Sequence, residues 1–413
     1  MTTPLTKQGP LKGTTIVDLS MWWSGPLATK FFAMMGADVI KVESIQRVDG
    51  WRLAVRLMAD AGIEASNVFN GVNVNKLGIT LDLSSEEGHR ILRDLVERAD
   101  ALVENYSPRV MDNLGLGDDV LFGWNPELVI LSMPAFGLTG PWRDFVGFAP
   151  TIEQFSGLPE LTGYEGGPPV LSGNSIADPS AGITGAFALL AGLHAQDRDG
   201  GGRHIDLSQL ESLTALLGKP LMEQQAKGQP PPRRGNRHAW KAPYGCYPCA
   251  EDDTWAVIAV SNDAQWQALC EVMGENALAG DERFRTAASR KGHQDEVDEM
   301  VSRWTRERNR HEVAEALQAR GVPAAAVYRP SDLLADQHLR ERDYFVELDR
   351  AEVGRHPHHG LPFQFSRTPG AITRAAPTLG QDNRHVLQDI VGLSDAEIEA
   401  LEAKQVIGTQ PVE

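Results

Sequence analysis

The sequence predicts an α/β protein: a large domain built on a doubly wound parallel sheet, with a smaller α+β domain. Two observations predict it. Between Thr14 and Met133, short apolar runs of strand length alternate with helical stretches, the pattern of βαβ units. Further on, Gly228-Gln-Pro-Pro-Pro-Arg-Arg-Gly235 is a rigid, extended linker, and the texture of the chain changes beyond it. A length of 413 residues fits two or three domains. The expected division is 1–228 for the first part of the large domain, 229–330 for the small one, and 331–413 for a return to the large one.

Thr14–Leu19 reads as a buried strand, Leu27–Met35 as a helix stopped by Gly36, and Ala37–Glu43 as the next strand. This is a βαβ unit and implies a parallel sheet. A turn at Asn73 leads into a strand ending near Asp82, followed by a helix from Ser84 to about Arg98. Strands follow at Asp100–Glu104 and Glu127–Met133, and a short one lies within Gly200–Ser208. Residues 105–116 fall at the carboxyl-end crevice of such a sheet, the usual ligand position. A long helix is expected from Gln209 to Ala226. In the small domain, Tyr244–Cys249, Thr254–Val260 and Gly321–Val327 read as strands. Ala264–Met273 and Asp295–Arg320 read as helices, and Ser394–Lys404 as a final acidic one.

Composition narrows the function. The chain is 42% hydrophobic and 23% charged with a net charge of −17, which argues against a nucleic-acid backbone or an anionic membrane as the main partner. An anionic small molecule needs only a few local cations. The three cysteines, no apolar h-region in the first ten residues, and no run near the roughly 20 residues of a membrane span predict a soluble, cytoplasmic protein. No G-x-G-x-x-G follows the first strand, and no phosphate-binding G-x-x-x-x-G-K-[ST] occurs. Cys246-Tyr-Pro-Cys249 lacks the second pair that a zinc site needs, and it precedes a strand rather than a helix. His356-Pro-His-His359 reads as a surface loop, so no metal site is expected.

One stretch stands out. Leu171–Leu193 brings a small-residue loop to Asp178 and then a Gly/Ala-rich apolar helix. Asp before Pro179 is a natural helix N-cap, and a structural cap explains it completely. A nucleophilic carboxylate fits the same place, because a helix N-terminus stabilises negative charge and offers spare N–H donors. Trp22 and Trp23, in the first strand-to-helix loop, fit either a core or a pocket wall.

Taken together these stretches resemble the class III CoA-transferases, the family of formyl-CoA transferase and carnitine CoA-transferase, over about residues 11–406. The elements fall in the family's order: Leu11-Lys-Gly through Asp18-Leu19, Gly25-Pro26, Gly36–Glu43, Asn75-Lys76 with Leu81-Asp82, Glu104-Asn105-Tyr106, Gly137–Pro141, the Asp178 helix, Gly321-Val-Pro323 and Leu379-Gly-Gln381. The resemblance implies a Rossmann-like large domain and an interlocked homodimer, two chains linked as rings. It also implies no tightly bound cofactor: CoA thioesters and carboxylic acids are the substrates. Asp178 matches the nucleophile, which forms an aspartyl–acyl anhydride and then an aspartyl-CoA thioester.

The positions matching the family's CoA contacts are Asn75, Lys76, Leu77, Gly78, Asn105, Tyr106 and Ser107, with Lys76 as the phosphate cation. Trp23, Ser24, Ala135, Phe136 and Gly137 complete the predicted site, and backbone N–H groups between Ala135 and Leu138 are the predicted oxyanion donors. Ser44 and Asn113 stand where relatives carry basic residues, with Arg109 one turn away as a substitute. Trp23 replaces a glutamine, and the glycine-rich active-site loop has no counterpart. Formyl-CoA and oxalate are therefore not expected, and Trp22 and Trp23, with the Phe145–Phe155 segment, point to a larger or more apolar acyl group. An α-methylacyl-CoA racemase resembles the same fold, but Phe148 and Ala149 stand where its His-Asp base belongs. A silent acyl-CoA-binding protein is the non-enzymatic alternative.

Overall fold

A computed structural model describes residues 9–58 and 62–412; most of the amino-terminal stretch read above for a leader lies outside them. The chain divides into two compact units. One comprises Met1–Leu158, Leu171–Met222 and His338–Glu413; the other comprises Pro159–Val170 and Glu223–Gln337. The second unit thus recruits a short segment well upstream of the linker, where the sequence shows no break.

In the first unit, β1 (Thr15–Asp18), β2 (Asp38–Glu43), β3 (Leu77–Thr80), β4 (Ala101–Glu104), β5 (Val129–Ser132) and β6 (Arg203–Asp206) form one sheet in the order β3-β2-β1-β4-β5-β6. Every neighbouring pair is parallel. Chain direction across the sheet reverses between β1 and β4, so the loops leaving these two strands diverge and open a crevice. Alternate residues feed opposite cores. Val17, Leu102 and Ile130 join the helix Glu86–Val96 and the carboxyl-terminal helices on one face. Ile16, Val103 and Leu131 join α1 (Ser24–Met34) and the helix carrying Asp178 on the other.

That helix, which we call α2 (Ala177–Asp199), packs closely on α1 and the sheet. Its small residues make this possible: a Cβ on Gly182 would lie 2.9 Å from the Ser24 carbonyl oxygen, and one on Gly192 2.8 Å from Ile205. The expected long helix from Gln209 is broken into Gln209–Thr214 and Gly218–Lys227 by a tight turn at Ala215–Leu217, since Gly218 and Pro220 weaken it there.

In the second unit β7 (Tyr244–Pro248), β8 (Trp255–Ala259) and β9 (Ala324–Ala326) form an antiparallel sheet. The stretch 295–320 is two helices, Gln294–Thr305 and Arg310–Gln318, because Asn309 caps the second through the His311 N–H. His356–His359 is not a loop but part of β11 (Gly354–His359), paired with β10 (Phe345–Arg350). The sequence reading missed this hairpin, since β11 is polar and β10 shows only Val346 and Leu348 as an apolar alternation. Among the described residues no His/Cys/Asp/Glu group can hold a metal, and no helix is long and apolar enough to cross a membrane.

Candidate active site

At the β1/β4 switch point the crevice is a cavity of about 660 Å³. Its foundations are charged and buried. Asp18, at the end of β1, is fully buried and accepts from the Ser20 N–H (3.0 Å), the Thr29 hydroxyl (2.7 Å) and the Lys76 ammonium (2.9 Å). The ammonium also donates to the Pro26 carbonyl and the Asn73 side chain, each at 2.9 Å. All its protons are thereby committed inside the protein.

Lys76 is therefore a structural cation, not the phosphate ligand expected from the resemblance. Asn75 and Gly78 are occupied in the same way. Asn75, at φ +63°, holds the Ala371–Arg374 segment through its amide, and a Cβ on Gly78 would fall 2.6 Å from Pro377. Gly78 also exchanges hydrogen bonds with Asp382, Leu77 pairs with Ile40 of β2, and none of Asn75, Lys76, Leu77 and Gly78 lines the cavity. The lining on that side comes from Leu81–Ser84, past the end of β3. The resemblance centres on the Asn75-Lys76 pair, but the chain must run the length of the strand before it reaches the crevice.

Asn105, Tyr106, Ser107 and Ala135 do line it. The Asn105 carboxamide pairs with the backbone of Met21, accepting its N–H (2.8 Å) and donating to its carbonyl (2.7 Å), and also donates to the Ser24 hydroxyl at 3.1 Å. Behind it Glu104, 2% exposed, accepts the Tyr106 N–H at 2.7 Å, and burial raises its carboxyl to about 7. Arg109 is exposed and lies outside the lining, as does Asn113. Arg47, which sequence reasoning passed over, is the exposed cation on the cavity wall, beside Ser44 and Gln46, and makes no ion pair among the described residues. Its signal was its place just after the Val-Glu end of β2, shifted downstream of the expected basic position.

Trp22 has φ +63°, a conformation that a bulky side chain adopts only at a cost of about 1–3 kcal/mol and that gathers at functional sites. Its ring meets Trp51 and Phe148 edge-on, at centroid distances of 5.6 and 5.5 Å. Trp23 is half-buried, 6.2 Å from Trp51. Phe136 lies outside the lining, among Trp142, Phe145 and Phe155.

Asp178 is not the N-cap. The helix starts one residue earlier, at Ala177, because Ser175 at φ +48° turns the chain and its carbonyl accepts the Asp178 N–H at 3.1 Å. Pro179 remains in the first turn, where its missing N–H costs nothing. The Asp178 carboxylate instead accepts the backbone N–H of Ser24, the first residue of α1, and burial raises its carboxyl to about 6. It thus stands in the first turn of its own helix and is held by the N-terminus of another. Ser24 is fully buried behind it. Of the predicted oxyanion donors, the Leu138 N–H is taken by Asp206 at 2.9 Å. Gly137, at φ +87°, and Phe136 keep theirs free of protein acceptors among the described residues.

Asp178 is not among the residues that line the cavity, whereas Met21 and Trp22, on the loop leading to Ser24, are. A buried carboxylate bound at a helix head, and a crevice large enough for part of an extended ligand, meet a matching family. The profile of CoA-transferase family III covers residues 11–383. The chain belongs to that family. The succinyl-CoA–D-citramalate CoA-transferase of Chloroflexus aurantiacus is 32% identical over 96% of this chain and 98% of its own length. The succinate–glutarate CoA-transferase of Agrobacterium fabrum is 33% identical over 94% and 98%. A CAIB/BAIF family protein from Brucella suis superposes with a TM-score of 0.85 at 30% identity, covering 93% of this chain and all of that one. As a class III family member, the chain is a transferase whose substrates are CoA thioesters.

Proposed function

We propose that the enzyme moves CoA between an acyl-CoA thioester and a free carboxylic acid with Asp178 as nucleophile. The observation that carries this is the buried Asp178 carboxylate, held by the Ser24 N–H at the head of α1, on the loop whose Met21 and Trp22 line the cavity at the β1/β4 switch.

An Asp178 oxygen attacks the thioester carbonyl carbon, and the charge passes to the carbonyl oxygen. Free N–H groups at Phe136 and Gly137 are suited to hold that oxyanion. The C–S bond then breaks and CoA leaves as thiolate, giving the aspartyl–acyl anhydride. The thiolate attacks the Asp178 carbonyl carbon and expels the donor's carboxylate, leaving an aspartyl-CoA thioester. The acceptor carboxylate attacks that thioester and the steps run in reverse. Overall one thioester replaces another of similar energy, so the enzyme needs no external energy source. Division into covalent steps makes the exchange tractable.

Trp22, Asn105, Tyr106, Ser107 and Ala135 on the cavity wall support CoA binding there, with Arg47 as the phosphate cation. A homodimer fits the exposed Ile183 and Phe187 on α2, 58% and 74% accessible. The dimer, and a cytoplasmic location, belong to this proposal. The racemase alternative lacks support, since Phe148 and Ala149 offer no titratable base.

Incubation with acyl-CoA donors, trapping with hydroxylamine and peptide mass spectrometry test the mechanism. A hydroxamate on Asp178, absent in Asp178→Ala, is expected. CoA thioesters that bind without marking Asp178 would rule the nucleophile out.

A further inference from the structure

Resting on the transferase reading, we propose that the donor acyl group is an apolar, aryl-sized monocarboxylic acyl chain, accepted by the aromatic box of Trp22 and Phe148 on the cavity wall, with Trp51 packed behind Trp22. This departs from the dicarboxylic acids in the names of the two relatives described above.

The box is built rather than incidental. Asp49 accepts the backbone N–H groups of both Trp22 (3.2 Å) and Trp51 (3.0 Å), so one carboxylate fixes the two indoles. Lys41 holds Asp49 in turn at 3.1 Å, with both side chains fully buried. Gly50 supplies the space: a Cβ there would lie 2.0 Å from Trp22 Cζ2. The indole of Trp22 therefore lies against bare backbone. It lines the cavity beside Phe148, 56% exposed, whose ring touches it edge-on, so the two form one continuous aromatic wall. Leu53, Phe145 and Val146 extend the apolar wall. The box reaches the reacting carboxylate through Ser24, two residues from Trp22, whose N–H holds Asp178.

Charge argues the same way. A distal carboxylate on the acyl chain would need a cation once it left water. Among the described residues the cations behind this wall are already committed: Lys41 to Asp49, Arg52 to Glu43 and Glu64, Lys76 to Asp18. Arg47 is open, but it stands near the Tyr106 end, close enough to act on that phenol, where it suits the anionic part of CoA common to every donor. Apolar rings, by contrast, gain edge-to-face contact and area burial against this box.

Single-turnover acylation of Asp178, quenched with hydroxylamine, separates donor choice from any acceptor. Phenylacetyl-CoA is expected to react at least tenfold more efficiently than succinyl-CoA. In Phe148→Ala and in Trp51→Ala that ratio should fall about tenfold, with unchanged circular dichroism as the folding control. Arg47→Ala should weaken every donor by a similar factor. The assignment is overturned if succinyl-CoA equals or exceeds phenylacetyl-CoA, if the ratio survives both aromatic variants, or if Arg47→Ala harms succinyl-CoA alone. A donor panel in which succinyl-CoA marks Asp178 and phenylacetyl-CoA does not refutes the box but keeps the transferase. A panel in which none marks Asp178 refutes both.

Discussion

Burial lifts the Asp178 carboxyl to about 6, and only the ionised form attacks a thioester. Acylation should therefore rise with pH through a midpoint near 6 and fade below it, as read by hydroxamate yield in single turnovers. The sign for stability is the opposite. A carboxyl whose folded pKa lies above its free value of 3.8 binds protons more readily folded than unfolded. Its contribution is full below about pH 4 and is lost as pH rises through 6. Asp178→Asn should then be the more stable protein at pH 8, by about 1–2 kcal/mol once partial solvation is allowed for, and no more stable at pH 4. Thermal melts across that range decide it. Lys76 gives a contrasting case. Lys76→Met strands Asp18 as a buried charge, so it should cost about 3–5 kcal/mol of stability while leaving the CoA Kd of the folded fraction within about twofold. A selective loss of CoA affinity with an unchanged melt would return Lys76 to the phosphate role.

Between single residues and the whole fold lies the loop from Ser20 to Ser24, which the end of β1 delivers and Asn105 clamps from the end of β4. Asn105→Asp keeps the acceptor for Met21 but loses both donations, to the Met21 carbonyl and the Ser24 hydroxyl. It should slow Asp178 acylation tenfold or more and move its pH midpoint upward, because a second carboxylate then stands behind Ser24. A change in donor binding alone would contradict this. The legibility of the site follows from the same geometry. The strands at Thr14, Ala37 and Asp100 were readable because apolar runs buried on both faces leave a continuous signal. The loops after them were readable because a parallel sheet puts its ligands at the carboxyl ends. Asp178 was found by its loop and helix, yet its position in the first turn depends on the backbone angles of Ser175, which no periodicity encodes. The Asn75–Gly78 and Lys76 expectations failed because a motif fixes residue types but not whether an ammonium faces a ligand or Asp18. Arg47 and the Trp51–Phe148 contact were hidden for the opposite reason: they come together only through folding of separate segments.

For the molecule as a whole, the proposed interlocked dimer makes a prediction that an ordinary dimer does not. Ile183 and Phe187 leave apolar surface on α2, and any symmetric partner that covers it buries the same patch of its own. Two chains that merely dock exchange partners as fast as that interface opens. Two chains linked as rings can separate only if one unfolds far enough to release the other, so exchange is limited by unfolding, which is orders of magnitude slower. Equal amounts of tagged and untagged enzyme, mixed after folding, should form no mixed dimer over a day in native buffer. Co-expression, or joint refolding from denaturant, should give about half mixed dimers. The tagged fraction pulled down by affinity resin and analysed by native mass spectrometry reads both arms. Mixed dimers appearing within minutes under native conditions would mean that the chains dock without threading. The covered face of α2 would then be an ordinary isologous contact, and a charge at Phe187 should yield a folded monomer.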